Sequence, residues 1–323
     1  MARALRLGRR SRWFKSSHPD QIFSIMTLLP TICALGEILV DYFPDGKRLG
    51  GAPFNFITHM QRLSFPTMFV TRIGRDHDAD EILQFLKKIE MDLTWIQQDD
   101  EHPTGSVTVH FRDDGSHSFT AAENTAQDYL VASEIPEQQT PKALFFGTFG
   151  QRHSVAAAAH DQMLSRMKGR TKLFCDLNIR PPFFTKEIVE QSLRFCDVLK
   201  ISEEDISFLY RIFFHLPQNP YDVVRMLMDK YDIEHVYLTR GSEGSLLFEG
   251  NKKIAIDAAK ANVVNTVGAG DAYSAIVVAG MVLNWESQMI LERASIFSAA
   301  ICEEAAAIPA KDEFYNRFKV WFS

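Results

Sequence analysis

The stretch NTVGAGD, residues 265–271, leads directly into a helix-favouring run from Ala272 to Leu283. Glycines placed just before a helix let backbone N–H groups approach an anion, and the helix N-terminus adds about half a positive charge there. The stretch therefore predicts an anion-binding cradle. Asp271 falls in the first turn, where a carboxylate can take the proton of an attacking hydroxyl or simply stabilise the helix dipole. Both roles stay open from these residues alone.

Other phosphate-binding and nucleotide-binding motifs are missing from the sequence. No Gly-Lys-Ser/Thr follows the glycines, which excludes a P-loop, and the His-Arg-Asp and Asp-Phe-Gly elements of protein kinases are absent. The first strand-to-helix turn lacks Gly-x-Gly-x-x-Gly, which argues against a dinucleotide-dependent oxidoreductase.

Short apolar runs alternate with helical stretches along the rest of the chain. Alternation of this kind predicts an α/β fold with a mainly parallel sheet and helices on both faces. The first buried strand is expected over Ile32–Val40, and further strands at Thr67–Ile73, Ala143–Gly147, Lys172–Cys175, Asp197–Ile201 and His235–Thr239. Four helices are expected between them, at Asp78–Ile89, Ser154–Met167, Glu187–Phe195 and Tyr221–Tyr231.

One segment departs from this alternation. Residues 105–120 alternate polar and apolar side chains on both sides of Asp113-Asp114-Gly115, a pattern that predicts a β-hairpin. Together with a strand near 40–43, this hairpin can form a small sheet that covers a site as a lid, or it can be an ordinary edge hairpin.

Composition limits the class of protein. The 323 residues are 46% hydrophobic and 24% charged with a formal net charge of −6, so a large buried core is expected and nucleic-acid binding by phosphate neutralisation is disfavoured. Four scattered cysteines suggest neither a disulfide scaffold nor a zinc site, and no apolar run reaches the ~20 residues needed to span a bilayer. We therefore expect a cytoplasmic protein that acts on a small molecule, without a nucleic-acid or membrane partner.

Residues 1–25 differ from the rest, with six Arg and Lys residues against one Asp. Such a segment can be a secretory signal or a transit peptide. The favoured interpretation is a disordered tail or an upstream start codon, with Met26 as the functional start and a single domain over residues 26–323.

A second glycine-rich turn, at residues 50–55, also precedes a predicted helix. It carries Asn55 where the first turn has an acid, and an amide that both donates and accepts suits sugar hydroxyls. Asp41, after the first strand, can accept bonds from two neighbouring hydroxyls or be a surface turn residue.

Four motifs occur in the order and approximate spacing of a known family: Gly50-Gly51-x-x-x-Asn55, Arg72-Ile73-Gly74-x-Asp76, Thr239-x-Gly241-x-x-Gly244 and Thr266-x-Gly268-Ala269-Gly270-Asp271. The chain resembles the ribokinase-like, or PfkB, carbohydrate kinases, and among them most of all fructokinases, from about Thr31 to its end. This resemblance implies a ribokinase-like three-layer α/β sandwich with a small β lid from segments near 40–49 and 95–121, and an ATP-dependent, magnesium-requiring kinase.

The resemblance also implies roles for individual residues. Asp271 matches the catalytic base and Gly268, Ala269 and Gly270 the anion hole, and Arg180 would lie near the transferred phosphate. Sugar-binding positions are matched by Asp41, Gly50, Gly51, Asn55 and Asn178, and nucleotide-binding positions by Lys200, Ser202, Thr239, Gly241, Gly244, Thr266, Gly268 and Gly270.

Two cation sites follow from the same resemblance. Asp205 would help to hold magnesium through water, whereas Ser202 and the acids after it can equally be a helix cap. Some family members bind a monovalent cation near the start of the signature, where Asn265 replaces the usual Asp.

The sugar is the open question. Gly-Gly-Ala-Pro at 50–53 with Asp-x-Asn-x-Arg at 176–180 favours fructose, phosphorylated to fructose 6-phosphate. A 2-keto-3-deoxygluconate kinase would share much of this pattern but needs a cationic pocket, and a ribokinase or nucleoside kinase is a further alternative. A sugar sensor without catalysis is the alternative of another class. Relatives that pair through the lid sheet make a homodimer an expectation.

Overall fold

The structure is a computed structural model that describes residues 31–111, 117–213 and 219–322. The basic segment at residues 1–25 and the Asp113-Asp114-Gly115 turn lie outside the described residues. Within them the strands are Ile32–Leu35 (β1), Leu39–Phe43 (β2), Gly46–Gly50 (β3), Thr67–Ile73 (β4), Ile96–Gln98 (β5), Ser106–Phe111 (β6), His117–Ala121 (β7), Ala143–Gly147 (β8), Lys172–Asp176 (β9), Val198–Ser202 (β10), His235–Thr239 (β11), Ser245–Glu249 (β12) and Lys252–Ile256 (β13).

The helices alternate with these strands. They are Ala52–Arg62 (α1), His77–Lys88 (α2), Ser154–Met167 (α3), Lys186–Phe195 (α4), Glu203–Phe213 (α5), Pro220–Tyr231 (α6), Ala269–Val282 (α7), Ser287–Cys302 (α8) and Asp312–Lys319 (α9). No helix in the described ranges is long and apolar enough to cross a membrane.

A nine-stranded sheet forms the centre of the fold, in the order β13-β12-β11-β10-β9-β8-β1-β4-β5. The strands from β11 to β5 are parallel, and β12 and β13 extend the sheet as an antiparallel edge. Parallel neighbours need crossover connections, which the helices provide. The predicted mainly parallel sheet is confirmed.

Helices cover both faces of this sheet, because successive side chains of a buried strand point to opposite sides. In β1, Ile32 and Ala34 belong to the apolar cluster that includes α1, α7, α8 and α9, whereas Cys33 and Leu35 belong to the cluster that includes α3 to α6. The result is the predicted three-layer α/β sandwich.

The sequence predicts one continuous strand over Ile32–Val40, but the structure has two separate strands here, β1 and β2. The chain leaves the central sheet at Gly36, whose φ is +144°, and β2 then joins a second sheet of order β3-β2-β6-β7. A Cβ built on Gly36 would lie 2.7 Å from the Pro53 side chain, so both the backbone angle and the close contact require glycine. The apolar pattern hid this break because residues 32–35 and 38–40 are all buried.

The small sheet contains the predicted hairpin, with β6 and β7 antiparallel and β2 pairing parallel to β6 at Val40 and Ser106. Its strands β2 and β3 lead back at Gly51 into α1, on the face of the central sheet that also carries α7. The small sheet is thereby connected directly to the helix that holds Asn55.

Candidate active site

Residues 265–271 form the turn that the sequence predicts before α7. Gly268 is the N-cap of the helix with φ of +79°, and no side chain caps this end. A Cβ on Gly268 would lie 2.4 Å from the Ala307 Cβ, so glycine is required by the backbone angle and by the neighbouring loop alike. A glycine-lined helix N-terminus without a side-chain cap is suited to an anionic ligand.

Asp271 lies in the first turn of α7, where it accepts a hydrogen bond of 2.8 Å from the Asn55 side-chain amide. The Asn55 Oδ1 atom is buried and has no hydrogen-bond partner among the described residues. Burial, followed by the negative charge of Asp176, raises the pKa of Asp271 to about 7, although Asn55, Lys200 and Arg180 act in the opposite direction. A carboxyl with a pKa near 7 is suited to general-base catalysis at neutral pH.

A buried ion pair lies behind this turn. Lys200 Nζ is 3.1 Å from Asp176 Oδ1, and the two side chains are 8% and 1% exposed. The Ser274 hydroxyl lies 3.1 Å from the other Asp176 oxygen and 3.0 Å from the Gly270 carbonyl, and it can donate to either. Burial acts to lower the pKa of Lys200, but the three aspartates around it outweigh this effect and the pKa is raised. Lys200 is therefore a fixed positive charge close to the cradle.

Asp205, predicted to help hold magnesium, is engaged within the protein. Its Oδ1 accepts from the Ile179 N–H at 2.8 Å, and its Oδ2 accepts from the Ser202 N–H and hydroxyl at 2.7 Å. The Ser202 hydroxyl also accepts from the Asp205 N–H at 3.2 Å, which is the helix cap that the sequence allowed. In the described ranges no group of three or more His, Cys, Asp or Glu side chains is placed to hold a metal ion. The water-mediated role of Asp205 stays a prediction.

Three of the five predicted sugar-binding residues line a cavity of about 680 Å³. Asp41, Gly50 and Asn55 line it from the small sheet and α1. A Cβ on Gly50 would overlap the Asp41 carboxylate, so glycine leaves this acid its space. Burial raises the pKa of Asp41 to about 6, while Arg48 acts to lower it.

The cavity also receives Arg48, whose guanidinium forms hydrogen bonds of 3.2 and 2.8 Å with the two carboxylate oxygens of Asp45. Sequence reasoning did not single out this pair, because a surface Arg three residues from an Asp carries no distinctive signal.

Four of the predicted nucleotide-binding residues lie at or just after the carboxyl ends of two neighbouring strands. Ser202 and Thr239 pair in register at the ends of β10 and β11, and Gly241 and Gly244 form the turn after β11 with φ of +54° and +85°. A Cβ on Gly244 would lie 2.0 Å from a backbone oxygen of β13. Ligands of open α/β sheets bind at this carboxyl edge.

The remaining predicted residues lie around the same edge. Asn178, with φ of +40°, and exposed Arg180 follow β9, Thr266 is exposed in the turn before α7, and Gly51 is the N-cap of α1. The structure thus brings both glycine turns and the residues after β9 and β10 to one side of the sheet.

Glu37 is a buried acid of this region that the sequence analysis missed. Its backbone oxygen would lie 2.8 Å from a Cβ on Gly51, and its carboxylate 3.3 Å from a Cβ on Gly150. Burial raises its pKa to about 7, with the charge of Asp271 adding to the effect. A Glu next to a Gly in an apolar run was the signal that could have drawn attention to it.

Comparisons with known proteins identify the family of the chain. The chain matches the model of the pfkB family carbohydrate kinases over residues 44–313. It is 28% identical over 268 residues to a fructokinase of Escherichia coli, covering 77% of this chain and 84% of that protein.

Two solved structures share the fold. One is a fructokinase double mutant from Vibrio cholerae O395 in its fructose, ADP and potassium ion bound form, with a TM-score of 0.76 and 21% identity, over 89% of this chain and 98% of the other. The second is the aminoimidazole riboside kinase of Salmonella enterica with aminoimidazole riboside and an ATP analogue. It has a TM-score of 0.72 and 19% identity, over 90% of this chain and 99% of the other. On the family match, this chain is a phosphotransferase and belongs to the pfkB family of carbohydrate kinases.

Proposed function

We propose that this protein transfers the γ-phosphate of ATP to the primary hydroxyl of D-fructose, giving fructose 6-phosphate. The observation that carries the proposal is the contact between Asp271 and Asn55, because it joins the anion cradle of α7 to the polar wall of the cavity. Residues 26–323 form the kinase domain in this proposal, with the small sheet as its lid.

The reaction follows from the placement of these side chains. Asp41 and the orphaned Asn55 Oδ1 hold hydroxyls of the sugar, so that its primary hydroxyl faces Asp271. Asp271 accepts the hydroxyl proton as the oxygen attacks the γ-phosphorus. Backbone N–H groups at Gly268 to Gly270, together with Arg180, stabilise the negative charge on the transferring group. ADP leaves from the strand ends that carry Thr239.

Magnesium, when bound with the nucleotide, would neutralise charge on the β- and γ-phosphates. Since Asp176 and Asp205 are engaged within the protein, the ion would be held mainly by phosphate oxygens and water, as magnesium commonly is. Glu203 and Glu204 are exposed in the first turn of α5 and can order such waters.

The charges of the cavity favour a neutral sugar. Among the described residues that line it, Arg48 is the one Arg or Lys, and Asp45 already binds both of its terminal nitrogens. A sugar acid such as 2-keto-3-deoxygluconate would meet Asp41 and Asp45 without a free cation. Fructose is uncharged and offers several hydroxyls, which suit an acid and an amide.

A coupled assay of ADP release tests the proposal. Fructose, ribose, 2-keto-3-deoxygluconate, adenosine and a blank without sugar are compared, each with and without magnesium. We expect magnesium-dependent release with fructose above all others. Higher kcat/KM with another acceptor would replace fructose, and saturable fructose binding without any ADP release would instead support a sugar sensor.

The variant Arg48→Ala supplies a matched control for the charge argument. If Arg48 only neutralises Asp45, its loss should weaken fructose binding modestly. If Arg48 holds a substrate carboxylate, its loss should abolish activity on 2-keto-3-deoxygluconate.

A further inference from the structure

Two loops run side by side next to the anion cradle. The N–H groups of Val264 and Asn265 both donate to the Cys302 carbonyl, at 2.8 and 3.1 Å, which fixes the segment before α7 against the end of α8. The loop after α8 continues to Ala307, whose Cβ would be 2.4 Å from a Cβ on Gly268. The position of this loop therefore bears directly on the cradle.

The Asn265 side chain joins the two loops. Its Nδ2 donates to the Ala305 carbonyl at 3.2 Å, and its Oδ1 accepts from the Val267 N–H at 3.0 Å. The second bond determines the orientation of the amide, because only oxygen can accept there. Both ends of the amide are thus used within the protein, and the nitrogen is the end that meets the carbonyl.

An aspartate at this position would behave differently. Its carboxylate could still accept from Val267, but its second oxygen would face the Ala305 carbonyl oxygen at hydrogen-bond distance with no proton between them. A carboxylate beside a backbone carbonyl is the type of oxygen set that binds hard cations. The family resemblance implies such a cation where the acid is present, whereas the donor set with Asn265 does not fit one.

We infer that the hydrogen bond from Asn265 to Ala305 takes the place of a bound monovalent cation in this chain, so that the cradle is held in position without potassium. The amide supplies the bridge between the loops that a cation would supply between two oxygens. The inference rests on the proposed kinase function for its activity measurement, but not for its stability measurement.

The first test uses the unmodified protein in KCl, NaCl and choline chloride at equal ionic strength. We expect the same kcat and the same apparent Tm in all three salts. Specific activation by KCl of about 5-fold or more, the lower range of coupling between two binding sites, would overturn the inference, as would a higher Tm in KCl than in the other two salts.

The second test uses Asn265→Asp, with Asn265→Ala as the matched variant. The Asp variant should have low kcat and low Tm in choline chloride, and KCl should restore both, by about 5-fold or more in kcat. The Ala variant, which offers neither a donor nor a carboxylate, should lose activity equally in all salts. An Asp variant that matches the wild type in choline chloride would contradict the bridging role of the amide.

If no sugar yields ADP, the proposed function fails, and the salt dependence of Tm in the wild type and the Asp variant still decides the inference. If the Asp variant does not fold in any salt, potassium cannot replace the amide and the inference is wrong.

Discussion

Replacing Asp271 by Asn separates the chemistry of the site from its stability. In the Asp271→Asn variant, the oxygen of the new side-chain amide can still accept a hydrogen bond from the Asn55 amide, so the contact between α1 and α7 is retained. The carboxylate is lost, however, and with it the general base. We expect kcat to fall at least ~10²-fold while fructose still binds.

The stability change follows from the raised pKa. Burial takes the pKa of Asp271 from 3.8 to about 7. At ~1.4 kcal/mol for each pH unit, holding this group ionised in the folded protein costs on the order of 4 kcal/mol. Because the folded pKa is the higher one, the cost is absent below pH ~4, grows as the pH rises and is complete above pH ~7.

The Asn variant carries no such cost and should be more stable than the wild type, with a difference that widens by roughly 2 kcal/mol between pH 5.5 and pH 8. Thermal unfolding at the two pH values measures this, with about 2 °C in apparent Tm expected for each kcal/mol. The control is Asp229→Asn, an exposed position on α6, which should show no widening. Near-normal turnover would remove Asp271 as the base, and equal Tm differences at both pH values would refute the burial argument.

Two other substitutions test the surroundings of the cradle. Lys200→Met leaves the buried Asp176 carboxylate unpaired and should lower the free energy of unfolding by about 3–5 kcal/mol, whereas the double variant that also carries Asp176→Asn should recover part of this in denaturant titrations. Gly268→Ala should lower both kcat and Tm because its Cβ has no space, whereas Gly250→Ala, with a similar positive φ and nothing within 4 Å, should lose only about 1 kcal/mol and keep its kcat. Equal losses in the two glycine variants would mean that backbone strain, not the neighbouring loop, is the cause.

Local patterns were sufficient to predict most of the fold. The strands Thr67–Ile73, Ala143–Gly147 and His235–Thr239 and the helix Ser154–Met167 have the predicted bounds, since their apolar periodicity reflects burial against one sheet. The break at Gly36 was not predicted. The strands on either side of it, β1 and β2, are both apolar although they join different sheets, and the positive φ of Gly36 is not visible in the apolar pattern.

The parts of the site that depend on residue types within one local turn could be predicted from the sequence. The glycines before α7 and Asn55 were found from their local context, but the bond between Asn55 and Asp271 joins residues 216 positions apart and depends on the packing of two helices. For the same reason the sequence could not tell whether Asp205 was free for a metal ion. Its three donors come from the loop after β9 and from Ser202 at the end of β10.

The crowding of acids near the cradle has a consequence for the whole molecule. The formal charge of −6 treats every Asp and Glu as ionised, yet Glu37 and Asp271 have pKa values of about 7 and Asp41 of about 6. Near neutrality these three acids therefore retain roughly one hydrogen ion that they release on unfolding, and the buried His59 and His160, whose pKa values burial lowers, offset part of this uptake. Refolding at pH 7 should accordingly turn a weakly buffered solution slightly alkaline, and the heat of folding should depend on the buffer in which it is measured.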